Sequence, residues 1–160
     1  MSAALRHPHA QVRRGALTIA EQRGGGLAER IGRLGLRDRD EGVRLVALGA
    51  LGASRRKEVV PELAAILERG SGPEQCGAAE ALGRLGVAEA LAPLRKALAG
   101  RRLFSFRTTP QDEAALVAMA RLPGEAAAAE LHSLAARSGP LGRLARDAAA
   151  RKTSAFSLPE

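Results

Sequence analysis

Few side chains in this 160-residue chain could do chemistry: His7 and His9 flanking Pro8, a solitary His132, and Cys76, its one thiol. Two histidines in a turn could begin a zinc site, but a tetrahedral centre needs further ligands and no second cysteine supplies one. The competing reading gives His9 the turn position that an Asp often fills. Cys76 falls in the first turn of an expected helix, where a thiol ionises most readily. No His/Asn or His/Asp arrangement stands beside it in sequence, so a packed or semi-exposed structural thiol is the better reading. Gly24-Gly25-Gly26 lacks the Lys-Ser/Thr of a phosphate loop and follows a helical pattern instead of a strand, which makes it a turn. The acids are spread singly along helix surfaces. No catalytic residue, cofactor or metal is expected.

Binding chemistry has more to offer. Arg101, Arg102 and Arg107 have no acid nearby and enclose Phe104 and Phe106, an aromatic-plus-Arg composition enriched in binding hot spots. Either these residues contact a partner, or both Phe pack between neighbouring helices and the Arg solubilise the loop. Arg13 and Arg44 hold equivalent places and could form a ladder with Asp40, Glu41 or a neighbouring carbonyl, or contact a ligand. Arg55-Arg56-Lys57 precede Glu58 and Glu62 at distances that favour local pairing. Arg30, Arg33, Glu62, Arg69, Arg95, Lys96 and His132 are the polar candidates on the second helix of each pair.

The elements that position these residues follow from composition and repetition. Trp and Tyr are absent, Phe occurs three times, and 46% of residues are hydrophobic, so Ala, Leu, Val and Ile must fill the core. That favours close-packed helices over sandwiches and barrels, which lean on β-branched and aromatic residues. A single cysteine fits a reducing, cytoplasmic setting. No apolar run approaches the roughly 20 residues of a membrane span. The net charge of +8 permits an acidic partner.

Ala47-Leu48-Gly49-Ala50-Leu51-Gly52 nearly repeats as Ala81-Leu82-Gly83-Arg84-Leu85-Gly86, with weaker copies at Ala16-Leu17 and Ala118-Met119. Ile31, Leu63, Leu94 and Leu131 form a second, interleaved series. Two helices in about 31 residues make the unit, and such a unit buries its apolar face only by stacking. Helix pairs are expected at about 8–35, 40–69, 73–99 and 110–137, with a half-repeat at 140–151. Together they form a repeat domain over 1–152, with an irregular tail at 153–160. Six extra residues interrupt both series in an insert at 101–109. Pro8, Pro73, Pro110 and Pro140 mark helix starts, and Thr109 with Asp112 reads as a capping box. Neither end reads as a finished cap, which suggests a longer array.

Val12-Arg13-Arg14-Gly15-Ala16-Leu17, Val43-Arg44-Leu45-Val46-Ala47-Leu48 and Ala78-Ala79-Glu80-Ala81-Leu82-Gly83-Arg84-Leu85-Gly86 resemble short HEAT repeats of the kind also found in phycobilisome bilin lyases. The resemblance covers about residues 5–151. It implies a right-handed α-solenoid of about four and a half helix pairs and a scaffold without catalytic residues. Gln75 and Ala115 depart from the pattern, near where Arg13 and Arg44 stand.

The resulting expectation is a non-enzymatic protein-binding module, using a concave surface lined by second helices together with the insert. A nucleic-acid-binding domain is the alternative, since HEAT-like folds occur in DNA alkylation-damage glycosylases and the Arg could contact phosphates. The lack of Trp and Tyr for base stacking weighs against it. A bilin-lyase-like enzyme would need a pigment pocket that no residue marks.

Overall fold

Three of the first helices start at a side-chain cap. Asp40 caps Glu41–Ala53 by accepting from the Val43 N–H, while Ser71 with Glu74 and Thr109 with Asp112 form reciprocal capping boxes. His9 takes the equivalent place before the helix Ala10–Arg23 without a side-chain cap bond. The computed structural model describes residues 3–100 and 108–156. Among them run α1 (Ala10–Arg23), α2 (Gly25–Gly35), α3 (Glu41–Ala53), α4 (Val60–Arg69), α5 (Gly72–Leu85), α6 (Leu91–Gly100), α7 (Pro110–Arg121), α8 (Glu125–Ala135) and α9 (Pro140–Phe156), and no strand. Short 3-10 turns at Lys57–Val59 and Ala88–Ala90 lead into α4 and α6. These helices fall in four consecutive pairs, α1 with α2 through α7 with α8, followed by α9. Helix α9 continues to Phe156, past the point where an irregular tail was expected, and residues 157–160 lie outside the described set.

The pairs stack as an α-solenoid in two layers. Helices α1, α3, α5, α7 and α9 lie side by side in one layer, and α2, α4, α6 and α8 form the other. The core is aliphatic, with Leu48, Leu51, Leu63, Leu82, Leu94, Leu116, Met119 and Leu131 buried among alanines. Two positions show how close the first helices come. A Cβ added to Gly52 would lie 2.9 Å from the Ala81 Cα, and one added to Gly83 would lie 2.7 Å from the Ala118 Cα. These helices touch backbone to backbone, a contact that only Gly against Ala permits.

Burial corrects the register read from the letters. Ala47, Leu48, Ala50, Leu51 and Gly52 of α3 are buried, and their buried counterparts are Ala78, Ala79, Ala81, Leu82 and Gly83 of α5. In α7 the same series is Ala115, Leu116, Ala118, Met119 and Ala120. The near-identical Ala-Leu-Gly hexapeptides therefore match one helical turn out of structural register. An Ala/Leu helix repeats its composition every three or four residues, so letter identity slips easily by a turn. In the corrected register the Arg13 and Arg44 position continues as Gln75 and then Asp112, in place of Ala115.

The turn inside each pair needs a positive φ. Gly24, Gly86 and Gly124 supply it at +64°, +64° and +88°, but in the second pair the residue is Arg55, at +54°. A left-handed conformation costs a residue with a Cβ roughly 1–2 kcal/mol. Arg55→Gly should therefore raise stability by about 1 kcal/mol in chemical denaturation. Gly15→Ala, which has open space in the middle of a helix, should add roughly 0.5–1 kcal/mol. Gly83→Ala should instead lower stability by about 1–3 kcal/mol, because α5 and α7 must move apart.

Candidate functional site

Arg13 and Arg44 build a ladder along the edge where one pair meets the next. The Arg13 guanidinium donates from Nε and Nη2 to both Asp38 carboxylate oxygens, at 2.6 and 2.7 Å, and from Nη1 to the His7 and Pro8 carbonyls, both at 2.9 Å. Thirty-one residues on, Arg44 Nη1 donates to the Asp38 and Arg39 carbonyls, at 2.9 and 3.2 Å, while its Nε donates to Glu74 at 2.6 Å. Each Arg thus closes the turn before its own helix and reaches forward to an acid of the next pair. The carbonyl part of this ladder was expected from sequence. The acids differ from the expected Asp40 and Glu41: they are Asp38 and the capping-box Glu74. Asp40 is committed to its helix cap, and the residue thirty-one positions after Asp38 is Arg69, the last of α4, in place of an acid. The Arg13 hydrogen bonds hold the Asp38 carboxyl below its ordinary pKa, helped by the Asp40 N–H, and Arg44 with the Ser71 N–H does the same for Glu74. At the ladder position of α5 the charge is lost to Gln75.

Which layer faces inward is decided by one ion pair. Arg84 of α5 reaches Glu21 of α1 at 2.5 Å, passing over the intervening helix α3. It crosses at Gly49, where an added Cβ would meet the Glu21 carboxylate at 3.0 Å. Side chains two pairs apart meet in this way on the inner side of a curve. The second helices are more widely spaced. Repeat-related hollows open between them, one of about 290 Å³ lined by Leu36, Arg44, Ile66 and Arg69, and one of about 280 Å³ lined by Leu67, Gln75, Lys96 and Ala97. The concave surface is therefore made by the first helices, and the expectation that second helices line it is corrected.

The remaining candidates scatter along the outer layer. Arg69 on α4, Arg95 and Lys96 on α6, and His132 on α8 are all exposed and belong to three different helices. Lys96 is paired with Glu68 at 3.0 Å. Arg33 bridges Glu29 of its own helix and Glu62 of the next pair. Arg56 and Lys57 also pair across repeats, with Glu29 and Glu89 and not with the local Glu58 and Glu62. Arg101, Arg102, Phe104, Phe106 and Arg107 lie outside the described residues. Cys76 is half-buried and forms no disulfide. The His7 Nδ1 accepts the His9 N–H at 3.2 Å, standing in for the Asp38 carboxylate that accepts from Asp40 one repeat later. Among the described residues no group of His, Cys, Asp and Glu is placed to hold a metal ion, and no helix is long and apolar enough to cross a membrane.

The feature missed in sequence is a groove of about 920 Å³ beside α7 and α9. Val117, Ala120, Leu122, Pro123, Ala128 and Ala148 give it apolar walls, and Arg121, Glu125 and Arg151 supply charge. Its residues come from three helices and two turns, so no local pattern announces it. It is a surface for apolar side chains and carries no paired acid and base.

Comparison with known families matches residues 33–103 to the model for HEAT repeats, and that segment is HEAT-repeat sequence. No curated protein matches it.

The ladder has a pH signature. Asp38 and Glu74 titrate below their unfolded values, so their contribution is complete above about pH 5 and is lost as pH falls through their folded pKa. The Asp38→Asn/Glu74→Gln double variant should be less stable than wild type at pH 7. Between pH 7 and about pH 3 it should lose less stability than wild type, measured by urea unfolding at each pH.

Proposed function

We propose that this chain is a non-enzymatic HEAT-repeat scaffold module that binds a protein partner. The apolar groove beside α7 and α9 is the observation that carries this reading. Its walls suit a partner's aliphatic or aromatic side chains, and the Arg121, Arg151 and Glu125 charges suit a polar rim, the usual anatomy of a protein contact. The layer of first helices supplies an extended concave face leading away from the groove, as stacked repeats commonly do. The insert, with Phe104 and Phe106 between Arg101, Arg102 and Arg107, is the second contact in this proposal, and the outer-layer Arg69, Arg95, Lys96 and His132 contribute peripheral charge.

The test is affinity capture with the chain as bait at low salt and at about 0.5 M salt, with nuclease present. A protein held by apolar contacts survives charge screening, whereas phosphate binding falls steeply with salt. Retention of one protein at both salts is expected, with its loss in Val117→Glu/Ala128→Glu at an unchanged melting temperature. Phe104→Ala/Phe106→Ala should weaken capture in the same way. Capture of nucleic acid that vanishes at high salt would overturn the reading and favour phosphate contacts by the Arg.

A further inference from the structure

Three large apolar side chains stand out in solvent, Val12, Ile19 and Leu34, exposed by 41%, 48% and 50%, and all three belong to the first helix pair. Their places in the repeat explain why. Val12 and Ile19 correspond, thirty-one residues on, to Val43 and Ala50, which are fully buried with Leu17, Ala20 and Ile31 of the preceding pair. Further along, Ala81 and Ala118 hold the Ile19 position and lie against Gly52 and Gly83 of the helix before them. The face that each of these later pairs buries against its predecessor is thus open on α1 at Val12 and Ile19, while Leu5 of the short turn Ala4–Arg6 packs against the core beside it. Gly15 lies between Val12 and Ile19, with nothing within 4 Å of an added Cβ, so the three residues form a shallow stripe at helical spacing.

Size and charge narrow down what would cover it. Ala50, Ala81 and Ala118 are small because a helix approaches them to backbone contact. Ile19 excludes that approach and holds a neighbour at the ordinary side-chain packing distance of roughly 8–10 Å. The stripe therefore fits a separate helix better than another tight repeat. Up to Arg37 the chain holds seven arginines against Glu21 and Glu29 alone. Glu21 is taken by Arg84, and Glu29 by Arg33 and Arg56. Arg6, Arg23, Arg30 and Arg37 are exposed and form no ion pair with a described residue. A second copy would bring the same arginines against these, so charge opposes self-association and favours an acidic occupant.

We infer that the open face of α1, with Leu34 beside it on α2, docks an acidic amphipathic helix of a protein partner. The inference rests on the protein-binding reading above and adds a second surface, with its own partner chemistry, at the opposite end of the solenoid from the groove. Apolar residues of the docked helix cover Val12, Ile19 and Leu34, and its flanking carboxylates meet Arg6, Arg23, Arg30 and Arg37.

The probe is a labelled synthetic helix of about 18 residues with Leu on one face and Glu on both flanks, compared with the same peptide carrying Gln for Glu. Fluorescence anisotropy should show the Glu peptide binding at least about tenfold more tightly than the Gln peptide, an advantage that shrinks as salt rises from about 0.05 to 0.5 M. Ile19→Glu should abolish binding with an unchanged melting temperature, while Val117→Glu should leave it intact. Equal binding of both peptides, binding that survives Ile19→Glu, or no binding at all would overturn the site. So would attachment to phosphatidylserine vesicles without peptide binding, or a dimer in sedimentation that Ile19→Glu disperses. Peptide failure with salt-resistant capture of a protein through the groove would refute this face alone. Loss of that capture would refute the scaffold reading instead.

Discussion

The approach of consecutive first helices to backbone contact sets everything else in this protein. At Gly52 against Ala81 and at Gly83 against Ala118 no space remains for a Cβ on the glycine. Such contacts cost the chain helix propensity at each glycine. In return they bring one layer of helices closer together than the other, and a stack with unequal layer spacing must curve. The Glu21–Arg84 pair, closing over Gly49, is the sign of that curvature at the surface. The same requirement accounts for the composition: aromatic side chains cannot enter layers held this close, so Ala separates the helices and Leu fills the remaining volume.

Polar groups then fix the order of the stack. Arg13 binds the carbonyls of its own turn and the Asp38 carboxylate ahead of it, and Arg44 repeats the arrangement with Glu74. A guanidinium suits this place because its planar fork can serve two carbonyls and a carboxylate at once. Capping boxes at Ser71 and Thr109 satisfy the helix starts farther along, where the ladder charge gives way to Gln75. The surfaces left over, the groove at α7 and α9 and the uncovered stripe on α1, are the ones proposed above for partner binding.

The helix pairs and their boundaries were legible because Pro, Gly and capping residues punctuate the chain and the apolar series recurs twice per unit. The register was less legible. The letters Ala-Leu-Gly recur within a helix at turn spacing, so matching Ala47 to Ala81 looked better than the structural match of Ala47 to Ala78. Arg13 and Arg44 were readable as a ladder, but Asp38 and Glu74 were not readable as its acids, because choosing among four nearby carboxylates depends on which ones the caps have already claimed. The groove was invisible, since Gly86, Val117, Ala128 and Ala148 come together only through stacking. Nothing in the letters sets Val12 and Ile19 apart from core positions, because their exposure depends on what packs on the preceding face.

The most direct test of the account is a pair of distances measured by double electron–electron resonance on a Cys76→Ser background. Spin labels at Thr18 and Glu80 span two repeats along the first-helix layer, and labels at Arg30 and Ala92 span the same two repeats along the second. All four positions are exposed. A clearly shorter distance is expected for Thr18–Glu80 than for Arg30–Ala92, with a lengthening of the shorter one when Gly52, at the α3–α5 contact inside that span, is replaced by Val. Equal distances, or a shorter span along the second helices, would contradict the claim that glycine-mediated contact makes the first helices the inner face.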